Sequence, residues 1–266
     1  MVRACSVLAG FAVCGAMAAV ASVPANASDG SKPEFSFNLG VTTDYIFRGF
    51  SQTGRGPTGQ GGVDMTWGMF YAGVWASGVD FGDVGAPSFK KVAHVEVDFY
   101  AGFKPVLGPV TFDFGVIYYA YPNARDPSVE ELDYVELKAG ASVSPWKGGE
   151  VSGNFFYSPE YTGKTGRVWT IEAGFSQELP AIGSVTPTFS ALVGYQKGRT
   201  TDYADVFVNS LKTSYTYWNA GVEFAWEKFT FDVRYWDTNV PKAGGFCDGP
   251  QFQCDGRVVG SVKFTY

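Results

Sequence analysis

Gly256-Arg-Val-Val-Gly-Ser-Val-Lys-Phe-Thr-Tyr266 is the stretch on which the reading of the fold turns. Val258, Val262, Phe264 and Tyr266 fall on one side of an extended chain, and Arg257, Ser261, Lys263 and Thr265 on the other. Val259 is the one apolar residue on the polar side. Such period-2 alternation describes a strand with one apolar and one polar face. A sheet in lipid can leave no backbone edge unpaired, so its last strand must pair with its first. The segment therefore predicts the closing strand of an outer-membrane β-barrel.

Eleven further segments alternate in the same way, giving an all-β, up-and-down antiparallel barrel of about twelve strands. They are Phe35–Arg48, Gly61–Trp67, Phe70–Phe81, Ala93–Phe103, Pro109–Ala120, Asp133–Ser144, Glu150–Tyr157, Arg167–Gln177, Ser184–Tyr195, Thr213–Trp226 and Phe229–Asp237. In Phe70–Phe81 the two faces compete, because Tyr71 and Trp75 oppose Phe70 and Val74. Alternation alone also fits a soluble sandwich. The connections favour the barrel. Gly68-Met69, Lys104–Gly108, Pro145–Gly149, Glu178–Gly183 and Glu227-Lys228 are short. They interleave with longer, polar connections at Gly49–Gln60, Gly82–Val92, Tyr121–Leu132, Ser158–Gly166, Gln196–Lys212 and Thr238–Asp255. Short turns at one end and long loops at the other are the membrane-barrel pattern. Tyr45, Phe47, Trp67, Phe103, Trp226, Phe229, Tyr235 and Tyr266 are expected at strand ends on the apolar face, where interface girdles sit.

Residues 1–27 read as a signal peptide. Arg3 supplies the positive start, Val7 to Ala21 the apolar run, and Ala25-Asn26-Ala27 the cleavage pattern. Residues 28–266 then form one barrel domain with a net charge of −7 once Arg3 is removed, a poor match to nucleic acid. Of the 4 cysteines, Cys247 and Cys254 remain in an oxidising compartment and are expected to pair. No cofactor or metal set is recognised.

The polar faces, turned inward, list acids at Asp44, Asp64, Glu96, Asp98, Asp113, Glu136, Glu172, Glu223 and Asp232. Against these stand bases at Arg48, Lys138, Arg234, Arg257 and Lys263. The excess of acid favours cations in a water-filled lumen. Alternatively the charges pair and plug the barrel, with Asp44–Arg48 and Asp232–Arg234 the nearest partners. The two functional readings are thus a narrow passage for small hydrophilic solutes or ions, and a closed structural or adhesive barrel whose loops bind a partner. A lipid-modifying enzyme is the third and weakest reading, because His94 is the sole histidine available as a base. Gly54-Arg55-Gly56-Pro57-Thr58-Gly59 matches a phosphate-cradling spacing, but Pro57 and the absence of a following helix pattern mark it as a loop. Glu130, Glu131 and Asp133 read as a solvated acidic run.

Leu39-Gly-Val-Thr-Thr-Asp-Tyr-Ile-Phe-Arg-Gly49, Gln60-Gly-Gly-Val-Asp64, Tyr71-Ala-Gly-Val-Trp-Ala-Ser77, Val95-Glu-Val-Asp-Phe-Tyr-Ala-Gly102 and Gly115-Val-Ile-Tyr-Tyr-Ala-Tyr-Pro122 resemble the TorF-type porins of the bacterial Gcw_chp family. The resemblance spans the mature chain. It implies outer-membrane location, insertion by the barrel-assembly machinery through the strand ending in Tyr266, contact with outer-membrane lipid, and a porin-like role.

Overall fold

A computed structural model describes residues 32–84, 90–122, 124, 131–208, 212–241, 247 and 249–266. Residues 1–27, read as a signal peptide, and Glu130 lie outside the described residues. Twelve long strands are present among the described residues: β1 (Glu34–Thr42), β2 (Thr58–Trp67), β3 (Phe70–Gly78), β4 (Val95–Phe103), β5 (Val110–Ala120), β6 (Tyr134–Trp146), β7 (Gly149–Ser158), β8 (Val168–Glu178), β9 (Thr186–Gly198), β10 (Ser214–Trp226), β11 (Phe229–Thr238) and β12 (Arg257–Thr265). Each pairs antiparallel with its neighbour in sequence, and β1 pairs with β12 to close the ring. The closing ladder sets Asn38 opposite Thr265 and Thr42 opposite Ser261. Phe37 and Tyr266 extend it with two backbone hydrogen bonds, of 3.0 and 2.9 Å, and stacked rings 5.1 Å apart. Closure satisfies backbone groups that an open edge would strand in an apolar surround.

The apolar faces point out. Phe35, Leu39, Val41, Val63, Leu137, Ile171, Val193, Val233 and Val258 are all exposed. Trp67, Phe103, Trp226, Phe229, Tyr235 and Tyr266 also stand exposed near strand ends. In β3 the competition resolves by what fills the interior: Phe70 and Val74 face out, and Tyr71 and Trp75 are buried inside. Glycines on adjacent strands make room for such inward rings. A Cβ on Gly73 would overlap the Tyr100 ring, and one on Gly194 would overlap Tyr217.

Turns at 68–69, 147–148 and 227–228 are tight, and those at 104–109 and 179–185 are short. The described parts of the longer connections, within 43–57, 79–94, 121–133, 159–167, 199–213 and 239–256, lie at the other end of the barrel, opposite Glu34 and Tyr266. Within 199–213 lie short helical turns at Thr201–Tyr203 and Ala204–Val208.

One expectation fails in an instructive place. Phe35–Arg48 is not a single strand. β1 stops at Thr42, the chain bends at 43–44, and a small hairpin follows, Ile46–Phe47 pairing with Phe50–Ser51. Its two-residue turn is Arg48-Gly49, with φ of 48° and 88°. Positive φ at both central positions is what a two-residue hairpin turn of matching twist requires. Tyr45 and Phe47 therefore leave the outer girdle. Tyr45 is buried within the barrel, and Phe47 packs against Tyr119 with ring centroids 5.8 Å apart.

Candidate functional site: the hairpin-crossed lumen

The hairpin lies inside the barrel and carries Arg48 to the far wall. Arg48 Nη1 and Nη2 donate to Glu136 Oε1 and Oε2 on β6 at 2.7 and 2.9 Å. Both side chains are only 1% exposed. The guanidinium also lies 4.8 Å from the Phe47 ring centroid and 5.0 Å from that of Phe156. Tyr119 donates a third hydrogen bond to Glu136, at 3.1 Å. On the opposite side, the Tyr215 hydroxyl donates to the Arg48 carbonyl oxygen at 3.1 Å. A planar, forked cation suits this bidentate crossing; a lysine would make only a point contact.

The hairpin's base is held by a second set of contacts. Asp44 accepts from Ser51 at 2.6 Å, from Thr53 at 2.9 Å and from Arg257 of β12 at 2.9 Å. Ser51 N donates to Gln253 O, and Asp80 N donates to Gln52 O. Ile46 is buried with Trp236 and Val259, which explains why the closing strand carries one apolar residue on its inner face. The Asp44–Arg48 pair expected from their spacing does not form. Each instead takes a partner distant in sequence, because the bend at 43–44 points the two side chains to different walls.

Asp232 pairs with Arg234 at 2.9 Å, and Lys138 with Asp113 at 2.7 Å. Arg234 also donates to Asn219 and Ser190, both at 2.8 Å. Other interior acids are met by phenols. Tyr45 and Tyr121 donate to Glu96 at 2.8 and 2.7 Å, Tyr217 to Glu172 at 2.5 Å, and Tyr100 to Asp64. Asp98 is fully buried, and neither carboxylate oxygen has a hydrogen-bond partner. Glu223 is buried opposite Asp232, and Lys263 is half-buried on β12. Sequence reasoning missed Lys104, whose amine reaches back to 5.0 Å from the Tyr71 ring. Its position in a turn hid it from strand-face counting. It also missed the tyrosines as a polar lining, since an aromatic in a strand reads first as apolar.

Two cavities flank the hairpin. One of about 110 Å³ lies toward the strands, lined by Asn38, Thr42, Asp44, Gln60, Glu223, Asp232, Arg234 and Lys263 among others, with Tyr45 and Ile46 on its hairpin side. The second, of about 260 Å³, lies toward the long connections, with Phe47 and Phe50 on its hairpin side. His94 is exposed at a bend before β4. The Gly54–Gly59 segment opens no helix: Arg55 pairs with Asp255, and Thr58 and Gly59 begin β2. Cys247 and Cys254 form a disulfide, with Cα atoms 5.3 Å apart. No cluster of His, Cys, Asp and Glu suited to a metal occurs among the described residues.

A closed ring of antiparallel strands, apolar outside and charged within, is the architecture of the outer-membrane porins. The chain belongs to the Gcw_chp family, described as bacterial protein of unknown function, which matches residues 26–266. No curated protein matches it. Among solved structures it is similar to the KdgM porin, at 7% identity over 87% of this chain and 99% of that one, with a TM-score of 0.53. The same porin in complex with disordered oligogalacturonate overlaps at 7% identity over 88% and 99% of the two chains, TM-score 0.51. LpxR from Salmonella typhimurium overlaps less well, at 9% identity over 87% and 99%, TM-score 0.47. At these identities the likeness is one of fold.

Proposed function

We propose that this protein is a porin-like channel of the Gram-negative outer membrane. It passes small hydrophilic solutes or ions by diffusion, and the Arg48 hairpin closes it at rest. The resemblance of Leu39–Gly49 and the segments after it to TorF-type porins is part of this reading. The observation that carries it is the charge-lined interior, interrupted at one level by a single hairpin whose two sides face separate cavities. The exposed apolar faces contact lipid, the long connections face outward from the cell, and residues 1–27 are removed on export. Tyr266, paired and stacked on Phe37, completes the strand that the barrel-assembly machinery recognises. The reading assigns no catalytic step, so any turnover found should survive His94→Ala.

Interior acids outnumber interior bases even with Lys104 counted, which favours cations in whatever water the lumen holds. Purified protein in planar bilayers should give stepwise, weakly cation-selective conductance with long closed intervals. Replacing 46–51 by a Gly/Ser linker should lengthen the open intervals. The second reading, a closed barrel whose loops bind a partner, is favoured by how completely the hairpin is held. Electrical silence of both the parent and the linker variant would establish it over the channel.

A further inference from the structure

The 260 Å³ cavity on the outer side of the hairpin has an unusual origin: all six long connections contribute to its wall. Phe50, Phe81, Leu132, Tyr161, Phe207 and Phe252 each come from a different one. The rings contact one another around the space. Phe81 lies 4.8 Å from Phe252 and 5.4 Å from Tyr121, and Phe207 lies 5.6 Å from Tyr161 and 6.1 Å from Phe50. Among the described residues, no acidic or basic side chain lines it.

Five of the seven hydroxyl- or amide-bearing side chains at its wall donate elsewhere. Tyr121 donates to Glu96 and Tyr215 to the Arg48 carbonyl oxygen. Gln52 donates to the Phe50 carbonyl, Thr162 to the Leu132 carbonyl and Thr165 to the Thr162 carbonyl. A hydroxyl-rich or ionic guest would enter against these committed donors and lose hydration without replacement. An apolar guest loses nothing of that kind and gains aromatic contact. A cavity of about 150 Å³ lined by apolar side chains is enough for benzene, so this one suits a molecule of about two fused rings. We propose that this pocket is a binding site for a neutral, apolar small molecule of that size, seated on the outer face of the Phe47–Phe50 hairpin.

Radiolabelled naphthalene, equilibrated by dialysis against the protein in lipid nanodiscs with empty nanodiscs as the blank, tests the proposal. One saturable equivalent per barrel is expected. Leu132→Trp, which fills the cavity, should weaken binding at least tenfold. Phe252→Ala and Phe81→Ala, which remove a wall, should weaken it several-fold, and the outward-facing Trp67→Ala should change nothing. Heat-dependent gel mobility confirms that each variant is a folded barrel, and the two alanine variants carry the test if the tryptophan variant does not fold. Naphthalene uptake no greater than in empty nanodiscs would overturn the proposal. So would saturable uptake that the pocket variants leave intact, or displacement by maltose. None of these outcomes depends on whether the barrel conducts.

Discussion

Glu136→Gln is the perturbation that bears most directly on the hairpin. It removes the charge but keeps the shape of the group that receives both Arg48 nitrogens, at 2.7 and 2.9 Å. Taking away one partner of a pair buried to 1% exposure leaves an uncompensated cation, at a cost of about 3–5 kcal/mol. The two rings at 4.8 and 5.0 Å hold the guanidinium alike in parent and variant, so they do not offset this loss. The loss of about 3–5 kcal/mol falls on the seated hairpin alone, because an unseated Arg48 is hydrated. At about 1.4 kcal/mol per decade, the open-to-closed ratio should rise roughly 100- to 4,000-fold. Single-channel recording reads this ratio directly. Replacing both partners, Arg48→Met with Glu136→Met, removes the stranded charge and should restore closure, since apolar substitution of a whole buried pair is often near neutral. Unchanged open time in folded Glu136→Gln barrels would refute the reasoning, and so would a double variant that opens as far as the single one.

Gly49→Ala should act in the same direction. It forces a side chain into φ +88° and against the Thr238 methyl, so the seated hairpin loses about 1–3 kcal/mol and open probability rises without any change of charge. Reducing the Cys247–Cys254 bond should leave the barrel folded but free its loop. Closing so short a loop restricts the open chain by about 2–3 kcal/mol, so limited proteolysis between 247 and 254 should accelerate in dithiothreitol and remain unchanged elsewhere. Partial burial pushes the Asp255 carboxyl up, but the hydrogen bond from Arg55 and the charges of Arg55 and Arg257 outweigh it and hold the group below the usual carboxylate range. A depressed value stabilises the docked loop above the ordinary aspartate range, and that support is lost as pH falls through the lowered value. Amide protection factors at 250–256, corrected for the intrinsic exchange rate, should therefore stay high at neutral pH and fall in acid, and Asp255→Asn should remove that loss of protection.

The barrel was legible because lipid-exposed and interior positions must alternate, and β12 shows that alternation from Arg257 to Thr265. The alternation of short and long connections added the direction of each strand. Phe35–Arg48 was misread because Tyr45 and Phe47 continue the period of β1, so the pattern shows no break where the backbone bends. Arg48-Gly49 between aromatic residues held the missed turn signal, since glycine at the second central position is what such a hairpin uses. The ion partners of Arg48 and Asp44 had no local trace: one lies 88 and the other 213 residues away. β3 stayed ambiguous because a filled lumen buries aromatics as readily as an apolar face displays them. Phenols capping Glu96, Glu172 and Asp64 were likewise invisible to a count of charges.

The distant anchoring of the hairpin bears on the order of assembly. It is synthesised early, between the first two strands, yet Glu136, Tyr215 and Arg257 that fasten it come from the middle and end of the chain. Contacts of such high sequence separation form late, after the intervening loops have been closed. The hairpin therefore cannot be fastened until β6, β10 and β12 stand around it, so the wall and its stopper are completed together.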